Sequence, residues 1–185
     1  MTFDNYKEVF ETQHWINIQR EVFEKVKNII CLDIENKLIS ELISKITEKV
    51  AAKYFAKLYN SDKVRCAKND NEPDIIFDKD SIEIKVAKTT DNNVVNWRGG
   101  EYSKREGTFI LIAWNFCNPE KNRFKIAVYK VNLTKQDWIV SKVKNYYATI
   151  YNMNLLVANS SHQNIVGSYS ISKRNIVKPV LVPIF

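Results

Sequence analysis

The run Pro73-Asp74-Ile75-Ile76-Phe77-Asp78-Lys79-Asp80-Ser81-Ile82-Glu83-Ile84-Lys85-Val86 packs four acids and two apolar strands into fourteen residues. Side chains alternate faces along a strand, so Ile82, Ile84 and Val86 share one face and Ser81, Glu83 and Lys85 the other. Ile75 and Phe77 likewise share a face, which leaves Asp74 with the opposite one. A two-residue Asp78-Lys79 turn would pair Phe77 with Asp80 and, counting back, set Asp74 opposite Glu83. Directly opposed residues have Cβ atoms ~5 Å apart, close enough for one cation to bridge both carboxylates. A four-residue loop keeps that facing and a three-residue loop breaks it.

Two carboxylates held this close repel, and burial raises their pKa unless a cation neutralises them. Mg²⁺ is the expected cofactor, because it takes oxygen ligands and is bound by one or two carboxylates with substrate phosphate completing its shell. Lys85 lies two residues beyond Glu83, ~6.6 Å along the same face, within reach of a metal-bound water or a phosphate oxygen. The plain alternative is an exposed hairpin carrying ordinary charges. Pro73, the clean strand patterning and the basic balance of the chain favour the phosphodiester-hydrolysis reading.

Outward from this hairpin the chain reads as one domain. Its 185 residues are 45% hydrophobic and 26% charged, and only four Gly and four Pro interrupt it, which disfavours disorder, a repeat or a linker. Residues 4–59 contain no Gly or Pro. Ile39, Leu42, Ile43, Ile46, Val50, Tyr54 and Leu58 form a helical stripe, with Asp33, Glu35 and Asn36 at its start and Asn60-Ser61-Asp62 at its stop. Trp15, Ile18, Val22, Phe23, Val26, Ile29 and Ile30 indicate a helix upstream. Strands are expected over residues 64–67, 74–77, 81–87, 108–116 and 124–131, a further helix over 134–147, and closing strands at 155–158 and 180–184. The fold class is therefore α/β or α+β, a mixed central sheet flanked by helices with an N-terminal helical segment.

Twenty-eight Lys and Arg against 21 Asp and Glu give a net charge of +7, the footprint of a protein that meets a polyanion. Residues 1–8 have no apolar core of a secretion signal, and no apolar run approaches the ~18 residues of a membrane span. Cys31, Cys66 and Cys117 are odd in number and widely spaced, against a disulfide framework or a zinc site. A cytoplasmic protein with no membrane partner is expected.

Pro73-Asp74 followed after eight residues by Glu83-Ile84-Lys85 resembles the PD-(D/E)xK nuclease signature, in the variant with Glu before x-Lys. The order of helix and three short strands is similar to that superfamily's core, a restriction-endonuclease-like fold. The runs at 108–114 and 126–138 further resemble the PvuII-like, blunt-cutting branch of type II restriction endonucleases. The resemblance implies that Asp74, Glu83 and the main-chain carbonyl of Ile84 hold Mg²⁺, and that Lys85 orients or activates the attacking water. It implies sequence-specific double-strand cleavage of DNA leaving 5′-phosphates, a homodimer acting on a palindrome, and a cognate DNA methyltransferase as a functional partner. Some relatives recruit a helix Glu. Glu48 is the matching acid here, but opposite its helix's apolar stripe it reads as solvated.

Two segments suit DNA contact. Residues 89–106 carry Asn93, Asn96, Trp97, Arg98, Lys104 and Arg105, amide, aromatic and basic groups that read bases or grip phosphates. Lys173, Arg174 and Asn175 lie in the late segment that would reach the major groove. Both also fit ordinary polar surface. His14 and His162 read as structural or surface residues, and Trp15, Trp114 and Trp138 as core. Residues 33–185 form the expected catalytic and recognition core, and residues 1–32 a helical segment whose surplus apolar surface faces either a second protomer or the chain's own core. A structure-specific or repair nuclease, and a non-catalytic basic DNA-binding protein, are the competing functions.

Overall fold

The computed structural model describes residues 3, 5–30, 34–69, 71–88, 97, 106–118, 123–134, 138–140, 147–150, 165–166, 168–171, 177–180 and 182–183. A 3₁₀ turn, Lys7–Phe10, leads into α1, Thr12–Ile30, and α2, Asn36–Leu58. Strands β1 (Val64–Cys66), β2 (Ile75–Phe77), β3 (Asp80–Lys88), β4 (Gly107–Asn118) and β5 (Arg123–Leu133) follow. The later strands are β6 (Trp138–Val140), β7 (Tyr147–Ile150), β8 (Ile165–Val166), β9 (Ser168–Ile171), β10 (Val177–Val180) and β11 (Val182–Pro183).

The main sheet has the order β1-β2-β3-β4-β5-β11, with β8 also paired to β5. All its pairings are antiparallel except β3 with β4, so the sheet is mixed, as the residue patterning predicts. The change of sense at β3 follows from the lengths of the connections. A two-residue turn can only fold the chain back on itself, whereas the 18 residues between Lys88 and Gly107 allow a crossover to a parallel neighbour.

β4 is buried from Thr108 to Trp114, every residue in turn, which is why Phe109-Ile110-Leu111-Ile112-Ala113-Trp114 reads as a continuous apolar run rather than an alternation. One face of the sheet, including Ile75, Phe77, Ile82, Ile84, Ile110, Ile112 and Val128, packs on the helices. Phe55 of α2 anchors that layer, with its ring 5.7 Å from both Trp15 and Phe77. α1 turns Trp15, Ile18, Val22, Phe23 and Val26 into the same core, all at most 2% exposed. These five residues of the apolar stripe in residues 1–32 are thus covered by the chain itself, while Ile29 is only half-buried.

α2 is buried on two sides, against α1 and against β1 to β3. Beside the expected stripe, Ala51, Ala52 and Phe55 form a second one, while Leu58 stands 42% exposed past the end of the core. Asn60, with φ of 47°, turns the chain out of the helix. Within the helix expected over 134–147, the described Trp138–Val140 is instead a strand, paired antiparallel with Tyr147–Ile150. Aromatic and β-branched residues in so short a run fit a pleated strand better than a helix, where χ1 crowding disfavours them. The strand expected at 180–184 corresponds to β10 and β11, and that at 155–158 lies outside the described residues. Among the described residues no helix is long and apolar enough to cross a membrane.

Candidate active site

The β2–β3 hairpin closes on Asp78-Lys79 with Phe77 paired to Asp80 and Ile75 to Ile82. Asp78 has φ of 53°, the left-handed value a tight hairpin turn demands at its first position and one that Asp tolerates better than most residues. Continuing this register puts Asp74 opposite Glu83 and Pro73 opposite Ile84. The turn therefore fixes the relation of the two carboxylates.

Pro73 has a specific effect on that relation. A strand residue's N–H and C=O point to the same edge, and the Ile84 N–H points toward β2, where it donates to Asp74 Oδ2 at 2.7 Å. The Ile84 carbonyl faces the same way, and Pro73 has no N–H to give it. The ladder ends at Ile75 and Ile82, one pair short of Asp74, and proline offers no N–H with which to extend it to the Ile84 carbonyl. Arg65 and Glu72 brace this stretch: the guanidinium donates to both Glu72 oxygens at 2.8 and 3.1 Å, and Glu72 also accepts from the Lys68 N–H at 2.7 Å. The bidentate Arg65 pairing holds the Glu72 carboxyl down at about 2.

Glu83 and Lys85 project to the sheet face away from the helices and pair at 2.6 Å, their side chains 9% and 15% exposed. In the parallel ladder they stand level with Phe109 and Leu111, whose apolar side chains reduce the water around the pair. Asp74 is affected most. Burial, then the charge of Glu83, then that of Glu48, push its carboxyl up to about 7, against the Lys85 ammonium and the Ile84 N–H.

Glu48 is the acid whose surroundings the sequence reading misplaced. It is 8% exposed rather than solvated, accepting from Lys45 Nζ at 3.0 Å and Ser44 Oγ at 3.3 Å, and its charge is felt at Asp74. The pattern that exposes it is Glu48, Ala51, Ala52, Phe55, an i, i+3, i+4, i+7 stripe of small and apolar residues headed by an acid. Cys66 closes this side of the site, donating from its thiol to the Glu48 carbonyl oxygen at 3.4 Å, and burial raises its pKa.

The donors fit a hard divalent cation: two carboxylates of like charge close together, one driven toward protonation, and an Ile84 carbonyl that Pro73 has no N–H to meet. Among the described residues no group of three or more His, Cys, Asp and Glu converges as a metal cluster. Mg²⁺ needs no more than one or two carboxylates.

Trp97, expected to face DNA, is buried. It is 1% exposed, donates from its indole Nε1 to the Ile112 carbonyl at 2.9 Å, and packs edge-on against Tyr129 at 5.9 Å, covering the sheet face away from the helices. Phenylalanine at position 97 should cost about 1–2 kcal/mol through the lost hydrogen bond, read by urea unfolding, and leave DNA affinity unchanged. A weakened DNA complex at full stability would return Trp97 to the interface. Asn93, Asn96, Arg98, Lys104, Arg105, Lys173, Arg174, Asn175 and His162 lie outside the described residues. His14 is structural, its Nδ1 2.9 Å from the Tyr54 hydroxyl. Trp15 and Trp114 are core residues. No match to this chain is found among family models, curated proteins or solved structures.

Proposed function

We propose that this chain is a Mg²⁺-dependent endonuclease that hydrolyses DNA phosphodiesters, in the manner of a type II restriction enzyme acting as a homodimer on duplex DNA. The observation that carries the reading is the convergence of Asp74, Glu83 and Lys85 at the end of one hairpin, where burial and the charge of Glu83 raise the Asp74 carboxyl. Asp74, Glu83 and the Ile84 carbonyl would hold the ion. Bound there, Mg²⁺ would lower the pKa of water and offset charge on the phosphoryl oxygens in an in-line displacement.

The chain's own groups do the rest. Glu83 holds the Lys85 ammonium beside the metal-binding carboxylates, so Lys85 can orient the attacking water and donate to the phosphate oxygens as charge builds on them. Asp74 keeps one oxygen on the Ile84 N–H, which fixes its carboxylate plane and leaves the other oxygen for the ion. The net charge of +7 gives the polyanionic substrate a favourable approach despite the local acids. A 5′-phosphate product follows if the 3′ oxygen leaves.

Incubation with phage DNA and Mg²⁺ should yield discrete fragments, and EDTA should abolish them. A smear, or cleavage restricted to branched substrates, would point to the repair or junction-resolving class. Salt-sensitive, sequence-blind binding with no cleavage would sink the enzymatic reading.

A further inference from the structure

We infer that the exposed ridge of α2 formed by Lys45, Lys49, Lys53 and Lys57 is a contact track for the phosphate backbone of DNA, leading away from the candidate active site. This rests on the nuclease reading only for the choice of polyanion. All four lysines are exposed, and they recur every four residues along one continuous helix, ~6 Å apart and ~18 Å end to end.

The ridge begins at the site. Lys45 pairs with Glu48 at 3.0 Å, and Lys49 follows Glu48 directly on the helix, so the first two lysines flank that acid. Its other end reaches the C-terminus of α2.

Exposed charge elsewhere on the helices is arranged differently. On α1, Lys25 pairs with Glu21 at 3.4 Å and Lys27 with Glu24 at 2.6 Å, and at the start of α2 Lys37 faces Glu41. Those are the offset pairs of an ordinary solvated helix face. Beyond Glu48 the pattern stops: Lys49, Lys53 and Lys57 have only lysine, apolar or uncharged residues three and four positions away, and no acidic partner among the described residues. Like charges at i, i+4 repel, so the arrangement weakens the isolated helix. The helix dipole accounts for Lys57 in the last turn but not for Lys49 or Lys53, one and two turns earlier. A ligand with regularly spaced negative charge removes the repulsion, and a DNA strand presents one along its whole length.

The test compares the wild type with the triple variant Lys49→Gln, Lys53→Gln and Lys57→Gln on a random-sequence duplex, in EDTA, across a range of KCl concentrations. Glutamine keeps helix propensity while removing charge. Each lost phosphate contact lowers the slope of log K against log salt by ~0.9, so the triple variant should lose about 2–3 in slope and bind about 10²–10³-fold more weakly near 0.1 M salt, on every sequence alike. The corresponding triple arginine variant should keep the wild-type slope. An unchanged slope in the glutamine variant overturns the proposal, as does a loss confined to phosphatidylserine vesicles. A wild type that cuts no DNA but shows the slope change keeps the ridge and removes the nuclease. A wild type that cuts DNA with the slope unmoved does the reverse.

Discussion

Lys85→Ala is expected to reduce Mg²⁺-dependent cleavage by about 10²–10⁴-fold, the range that a positioned group acting on the attacking water supplies. The variant should also be less stable, because the ammonium lies 2.6 Å from the Glu83 carboxylate, which is itself 9% exposed. Removing one member of such a pair leaves a charge buried without its counterion, a loss of about 3 kcal/mol. The two effects separate on adding metal. A divalent cation at Asp74 and Glu83 replaces the missing positive charge, so Mg²⁺ should raise the melting temperature of Lys85→Ala more than that of the wild type, yet cleavage should not return. Lys85→Met keeps the aliphatic stem and should behave alike. If Mg²⁺ restores cleavage along with stability, Lys85 is a counterion to Glu83 and nothing more. If Mg²⁺ stabilises neither protein, the carboxylates are not a metal site.

The acidic hairpin was legible because every step in its reading is local. A two-residue turn sets the register, the register sets which side chains oppose one another, and neither depends on the rest of the chain. The observed pairing of Phe77 with Asp80 is the one the turn dictates. Glu48 failed for the opposite reason. A single stripe read off α2 assumes one buried face, but the helix packs on α1 and on the sheet at once, and that is decided by residues far away in sequence. Trp97 shows the same limit in a loop. Its neighbours Asn96 and Arg98 suggested DNA, whereas the residue answers the need of an apolar sheet face, built from Phe109, Leu111 and Tyr129, for a cover. The strand at Trp138–Val140 has a helical reading in the sequence because a few apolar residues fit both periods in a short window, and pairing with Tyr147–Ile150 decides between them.

Asp74→Asn is expected to remove cleavage and, in the absence of metal, to make the protein more stable. Asp74 is pushed up to about 7 by burial and by Glu83 and Glu48, whereas an unfolded chain holds an aspartate near 3.9. Between these values the folded state binds the extra proton, so raising the pH through this window lowers stability, and the penalty is complete above about 7. The sign is the reverse of the usual aspartate, whose depressed pKa makes it stabilising at neutral pH. Partial exposure of the carboxylate and the Ile84 N–H temper the cost, so a gain of about 1–3 kcal/mol is expected for Asp74→Asn at pH 8. That corresponds to a rise of about 3–10 °C in melting temperature for a chain of this size. The amide oxygen can still accept from Ile84, so the hairpin geometry should survive. At pH 5 the gain should shrink to well under half, because the folded wild type then carries the proton. Mg²⁺ should close the gap from the other side, stabilising the wild type by binding its folded state and leaving the variant unmoved. An equal gain at both pH values would mean that the asparagine improves packing and not charge. A loss at pH 8 would mean that the carboxylate is not strained by its neighbours, and the case for a cation between Asp74 and Glu83 would go with it.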